Sequence, residues 1–318
     1  MEELNKQNRR KFLKDSGILL AGAALVTSPI SHLAASNKEI KLCILHTNDW
    51  HSRIEPFDKT DKNNAGMGGA EFRAALINKY RKENEHVLLL DAGDIFQGTP
   101  YFNFYGGELE YKLMSQMGYD CVTLGNHDFD NGIEGLYKQM PHASFDFVNC
   151  NYDFTDTLIE HKISPYKIYK KGALKIGVTG IGIELNGLVP EKLYGKIKDN
   201  DPIEQLNKVA TYLKEEKKCD LVICLSHLGY SYKNEKINDL TLAPQTKNVD
   251  LILGGHTHTF LKEPIIVKNA SGKSVIINQV GWAGLVLGKI EFTFNKHLTH
   301  DFVHTFENVD IDGTSIKC

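Results

Sequence analysis

Five short segments of the chain place metal-ligand side chains directly after apolar runs. "LHTNDWH" sets Asp49 and His51 two residues apart, "LDAGD" puts Asp94 just past a glycine, and "TLGNHD" presents Asn126 and His127. "CLSH" ends in His227, and "LGGHTH" carries His256 and His258. A lone histidine after a strand is usually a hydrogen-bonded structural residue. Five such ends in one chain, rich in Asp and His, form a ligand set. Asp49, His51, Asp94, Asn126, His227, His256 and His258 are too many donors for one tetrahedral ion and suit two ions sharing a carboxylate. Imidazole and carboxylate ligands fit Zn, Mn, Mg, Co or Fe, and the mix disfavours Ca.

The elements that must position these residues alternate. "IKLCILHT" (40–47), "HVLLLDAG" (86–93) and "CVTLG" (121–125) read as strands, as do "FDFVNC", "LKIGVTGIG", "DLVICLSH" and "VDLILGGH". Between them, 69–84, 106–118, 133–140 and 202–218 read as helices, with Asp201 a cap before Pro202 at the first position. Several strands are apolar nearly throughout, as expected for sheets covered on both faces. After about residue 265 only strand-like runs remain, and these are expected to form hairpins completing a second sheet. The fold class is α/β. In open α/β sheets, ligands collect outside the carboxyl ends of the strands, where all five segments would lie.

The order D-x-H, G-D, G-N-H-D, S-H, G-H-T-H resembles the calcineurin-like metallophosphoesterase superfamily. The stretch "DAGDIFQGTPYFNFYGGELEYKLMSQMGYDCVTLGNHDFDNG", with "HTNDWH" and "GGAEFRAAL", is similar to its 5′-nucleotidase branch, over residues 40 to 295. The resemblance implies a four-layer α/β/β/α sandwich of two mixed sheets flanked by helices. It implies that Asp49, His51 and His258 hold one divalent ion, that Asp94 bridges, and that Asn126, His227 and His256 complete the second. It also implies a catalytic dyad of His127 and Asp130. Asp128 departs from a Glu common in the branch, and a supporting role is expected for it.

The activity implied is hydrolysis of phosphate monoesters, most often 5′-nucleotides, by in-line attack of a metal-bridging hydroxide. The physics agrees: two ions ~3.5–4 Å apart clamp the attacking and leaving oxygens and lower the pKa of water. Asp130, three residues beyond His127, suits fixing its tautomer and favouring the imidazolium that protonates a leaving alkoxide. A 2′,3′-cyclic nucleotide phosphodiesterase or UDP-sugar hydrolase shares the same motifs. So does a non-catalytic, partner-dependent subunit of a split 5′-nucleotidase, although binding alone needs no acid-base dyad. Two-domain members of the branch carry a C-terminal domain that clamps the nucleobase. Only the catalytic domain is expected here, so a separately encoded C-terminal nucleotidase domain is a candidate partner.

Composition sets wider bounds. The 318 residues are 42% hydrophobic and 24% charged, ordinary for a globular protein. Residues 1–35 pair Arg9 and Arg10 with a short apolar run and a small-residue exit, which resembles a twin-arginine export signal. Export to the periplasm is expected, or a membrane anchor if the signal stays uncleaved, with 36–318 a single catalytic domain. No stable membrane span is expected once the signal is removed. Removing residues 1–35 takes away five basic and three acidic side chains and moves the net charge from −3 to −5. A mildly acidic chain has no global field to gather nucleic acid duplexes, so attraction to a small phosphate ester must be local. The six cysteines form no C-x-x-C pair and read as buried thiols. Trp50 reads as a packing residue, Arg73 as a helix-surface residue, and "YFNFY" (101–105) equally as a base-pocket floor or a loop anchor.

Overall fold

A computed structural model describes residues 39–295 and the backbone of 300–308. The export-signal segment lies outside the described residues. Two six-stranded mixed sheets dominate. The first runs β14-β13-β1-β2-β3-β4, with β1 Ile40–Thr47, β2 Val87–Asp91, β3 Cys121–Val122, β4 Asp146–Phe147, β13 Val286–Phe294 and β14 His300–Asn308. The second runs β11-β12-β10-β9-β7-β6, with β6 Tyr166–Lys171, β7 Leu174–Gly182, β9 Leu221–His227, β10 Leu251–Gly254, β11 Ile265–Lys268 and β12 Ser274–Asn278. A small ribbon pairs β5, Tyr152–Asp153, with β8, Lys198–Asp199.

Strand parity builds the layers. Along β1, Leu42 and Ile44 enter one core shared with Ile176, Leu221, Ile223 and Leu251 of the second sheet. Their neighbours Cys43 and Leu45 point the other way, toward helix α1, Ala70–Glu83. In β9, Leu221, Ile223 and Leu225 face the first sheet, while Val222 and Cys224 pack with Leu206 and Ala210. Each fully buried Leu or Ile contributes roughly 2 kcal/mol relative to exposure. Both faces of both sheets are therefore covered, which explains the unbroken apolar strands and yields the expected four-layer sandwich.

Helix α3, Glu108–Met117, is the one expected over 106–118, and a separate helix α2, Pro100–Tyr105, precedes it where the sequence suggested none. Gly106 and Gly107 have φ of 62° and 103°, and the Phe96 ring leaves no room for a side chain on Gly107. Next come α4, Gly132–Gln139, and the single turn α5, Glu191–Tyr194. In α6, Pro202–Thr211, Asp201 accepts a cap bond from the Glu204 amide at 2.9 Å, as expected. A π-helical turn then continues over Tyr212–Glu216. The last short helix, α7, spans Asp239–Leu242.

The strand-only tail departs from expectation. β11 and β12 do join the second sheet, but β13 returns to pair antiparallel with β1, and β14 extends the first sheet. Pairing with β1 buries Ile290, Phe292 and Phe294 in the inter-sheet core.

Candidate metal centre

β1, β2 and β3 run parallel, as do β9 and β10, so their carboxyl ends meet at one edge of the sandwich. The ladder continues past the strands: the Asp49 amide donates to Gly93 O at 2.9 Å and the His51 amide to Asp94 O at 3.1 Å. Five of the seven expected ligands adopt left-handed backbone: Asp49, His51, Asp94, His256 and His258, with φ between 51° and 71°. Each such residue costs on the order of 1 kcal/mol or more, strain that surrounding structure must hold and that clusters at functional sites. Gly125 is needed for close approach, since a Cβ there would run into the Asp94 carboxylate and the His227 ring.

The side chains converge in two clusters. An outer one joins Asp49, His51 and His258; an inner one joins Asp94, His227 and His256. In the outer cluster, His51 Nε2 lies 2.9 Å from His258 Nε2, and Asp49 Oδ1 lies 3.3 Å from His258 Nε2. Asp49 Oδ2 accepts from Asn48 Nδ2 at 2.6 Å, leaving Oδ1 turned toward the imidazoles. In the inner cluster, Asp94 Oδ2 sits 3.0 Å from His227 Nε2, and Asn126 Oδ1 sits 2.8 Å from His256 Nδ1. The same Asp94 oxygen is 3.9 Å from His51 Nε2 of the outer cluster, the placement a bridging carboxylate requires.

The donor set itself tests whether cations fit. His227 Nδ1 faces the Ala92 carbonyl at 2.7 Å and donates to it, which commits Nε2 to its lone pair. That Nε2 is buried without a hydrogen bond and points at a carboxylate oxygen. A cation, proton or metal ion, must lie between them. Burial alone would lower the His227 pKa, but Asp94 and Asp49 push it up to about 10. The same field, with His227 foremost, holds Asp94 well below the usual carboxylate range despite its burial. His51 repeats the pattern: Nδ1 donates to Gln97 O at 3.0 Å while Nε2 confronts His258 Nε2. Burial, reinforced by His227, pushes His256 down to about 4, which keeps it neutral, the form that can take a metal ion. Two divalent ions would satisfy these lone pairs, with backbone carbonyls orienting the His227 and His51 rings.

The dyad stands beside this centre. The His127 amide donates to Asp94 Oδ1 at 2.7 Å, and its ring Nδ1 meets Asp130 Oδ2 at 2.7 Å. The hydrogen bond to Asp130 raises the His127 pKa against the effect of burial. Its ring lies 5.2 Å from that of His51, edge to face, and its side chain is 38% exposed. Asp128 supports the loops as expected. Its carboxylate accepts from the amides of Asp94, Ile95 and Gly125 at 2.8–3.0 Å and from Phe96 at 3.3 Å. Burial pushes Asp128 up to about 7.

Arg73 is a correction. It is 1% exposed, with its guanidinium 3.9 Å above the Trp50 ring. Ala70, Arg73, Leu76, Ile77 and Tyr80 share the buried stripe of α1, so helical spacing outweighs the charge that suggested a surface position. Trp50 packs as expected, its Nε1 donating to Arg53 O at 2.6 Å. Within "YFNFY", Phe102 anchors the segment against Phe96, whereas Phe104 is 81% exposed. The described cysteines are free thiols. Sequence spacing gave no hint of Trp282, which lies against His258, or of His46, buried with its Nε2 3.0 Å from Asn278 Nδ2.

Residues 43–260 match the calcineurin-like phosphoesterase family. The chain is 34% identical to a snake venom 5′-nucleotidase of Gloydius brevicauda, over 87% of this chain and 49% of that protein. Its fold superposes on a 5′-nucleotidase precursor from Thermus thermophilus with a TM-score of 0.77 and 30% identity, covering 87% of this chain and 56% of that one. The calcineurin-like phosphoesterase YfkN from Bacillus subtilis gives a TM-score of 0.72 at 25% identity, over 87% of this chain and 93% of that one. The chain thus spans about half the length of the curated relatives it matches. With its two Asp-His clusters at the strand ends, it belongs to the calcineurin-like phosphoesterase family.

Proposed function

We propose that this chain hydrolyses phosphate monoesters, with 5′-nucleotides as the favoured substrates, at a centre of two divalent ions. The observation that carries this reading is the dyad beside the bridging carboxylate: His127 is tied to Asp94 through its amide and to Asp130 through its ring. In this reading Asp49, His51 and His258 hold one ion, Asn126, His227 and His256 the other, and Asp94 both. Bound there, the ions neutralise phosphoryl oxygens and lower the pKa of water. Asp130 keeps the proton on His127 Nδ1, which leaves Nε2 to deliver a proton to the departing alkoxide. Gly125 and the Asp128 carboxylate keep the ligand loops in place while this happens.

The name 5′-nucleotidase carried by the relatives supports the substrate class. A partner domain that clamps the nucleobase is part of the same proposal. Export is proposed from the arginine pair and apolar run at residues 9–26; among the described residues no helix is long and apolar enough to cross a membrane.

The test is hydrolysis of AMP, UDP-glucose, 2′,3′-cyclic AMP and bis-p-nitrophenyl phosphate with Mn, Zn or Co, against a chelator control. Chelator-sensitive phosphate release from AMP supports the proposal. Preference for the cyclic nucleotide or the UDP-sugar reassigns the substrate while keeping the centre. No turnover with any metal sinks the catalytic reading and favours a binding subunit.

A further inference from the structure

The loop after β12 lays an indole against the outer cluster. The rings of Trp282 and His258 lie 5.4 Å apart, centroid to centroid, and their planes are 3° from parallel. Trp282 also meets the His51 ring at 6.5 Å, and Phe57 closes on the indole edge-on at 6.0 Å. Both chain neighbours of Trp282 are tied to the ligand loops. The Ala283 amide donates to Asp49 O at 2.7 Å, and the Gly281 amide donates to Thr259 O at 3.0 Å, next to His258. The indole is therefore held in register with the ligands rather than resting on them loosely.

His258 needs such a support. His227 and His51 are each oriented by a backbone carbonyl at Nδ1, at 2.7 and 3.0 Å. Among the described residues, no hydrogen bond to His258 Nδ1 orients that ring in the same way, and its side chain is 37% exposed. A parallel aromatic face fixes the plane of an imidazole without a hydrogen bond. It also discriminates by charge, because the negative face of the indole attracts an imidazole carrying a cation more than a neutral one. The stack therefore favours the metal-loaded state of His258 over the empty state.

We propose that Trp282 is a positioning residue of the outer half-site, which orients His258 and raises the affinity of the ion bound there while leaving the inner ion unaffected. The proposal rests on the two-ion reading above. The experiment is calorimetric titration of chelator-stripped full-length chain with Mn²⁺, in wild type and in the variants Trp282→Ala, Trp282→Leu and Trp282→Phe.

The wild type is expected to take up two ions per chain. Trp282→Ala and Trp282→Leu should each weaken one step about ten-fold, the range of an outer support to a metal ligand, and leave the other within about two-fold. Trp282→Phe should recover most of the loss, since it keeps an aromatic face. The chain has only two tryptophans, Trp50 and Trp282, so the share of the Mn²⁺-induced emission change that comes from Trp282 should be lost in Trp282→Phe, leaving that of Trp50.

If Trp282→Ala fails to fold, the Leu and Phe variants carry the comparison, because Leu fills space without an aromatic face. Unchanged outer affinity in Trp282→Leu overturns the proposal, as does equal weakening of both steps, which marks a merely structural loop residue. A wild-type chain that takes up fewer than two ions overturns the two-ion reading and the proposal with it. Two ions in wild type with no effect of Trp282 overturns the proposal alone.

Discussion

The inner cluster hides its central imidazole and the outer cluster shows one: the His227 side chain is fully buried, whereas that of His258 is 37% exposed. The inner half is assembled between two sheets, with the Ala92 carbonyl and the Asp94 carboxylate fixing His227 from opposite sides. The outer half hangs on loops, with all three of its ligands, Asp49, His51 and His258, in left-handed backbone, and one of its rings leans on Trp282. Burial makes an empty inner site costly, because a carboxylate and an imidazole lone pair would confront each other out of water. In the outer site Asp49 and His51 are buried as well, and only His258 opens to water, so that ring can relax into solvent at less cost. The comparison predicts tighter metal binding in the inner half and more readily exchanged metal in the outer half.

Asp94 faces both halves, 3.0 Å from His227 Nε2 and 3.9 Å from His51 Nε2, and its loss should have the largest effect. Asp94→Asn removes the shared charge, and kcat/KM is expected to fall by about 10³-fold or more, with metal content below two ions per chain. Retention of both ions by the variant would deny it the bridging role. Next comes His127→Ala, which should lower kcat by about 10²–10³-fold while metal content stays at the wild-type level. An unchanged kcat would remove His127 from the chemistry.

The asymmetry itself is tested by metal content after dialysis. His258→Ala is expected to keep the inner ion and lose the outer, weakened about 10–100-fold, whereas His227→Ala should deplete both, since it also frees Asp94. Equal losses in the two variants would show that burial does not distinguish the halves.

The smallest effect concerns pH. Asp130 raises the His127 pKa, so the imidazolium persists above the ordinary histidine value, and activity should decline as pH rises through that raised pKa. Asp130→Asn removes the largest cause of the rise. Its alkaline decline should therefore begin at lower pH than that of the wild type in a kcat-against-pH profile. A decline at unchanged pH would mean that another group controls that limb.

Much of the fold could be read before any coordinates. Strand β1 spans the residues its apolar run indicates, and α1 lies within one residue of the expected bounds at each end. Periodicity reports local burial, and in these segments local and tertiary demands agree. They disagree where a residue's type and its place in the stripe conflict, as for Arg73, whose charge hid a helical position that faces Trp50. β6, "YKIYKK", alternates too weakly to stand out. It forms because Tyr166–Lys171 pairs antiparallel with Leu174–Thr179 of β7.

The amino-acid sequence by itself determined the chemistry on offer: seven Asp, His and Asn donors at the ends of apolar strands, and a histidine with an aspartate three residues on. These depend on residue type and short spacing, which the chain carries locally. Only the tertiary structure decided which donors share an ion, since His51 meets His258 across more than 200 residues of chain. It also decided that β13 closes against β1 rather than extending the second sheet, and that Trp282 stacks on His258. Those outcomes depend on how two sheets pack face to face, and contacts of such long sequence separation leave no periodic trace in the residues that make them.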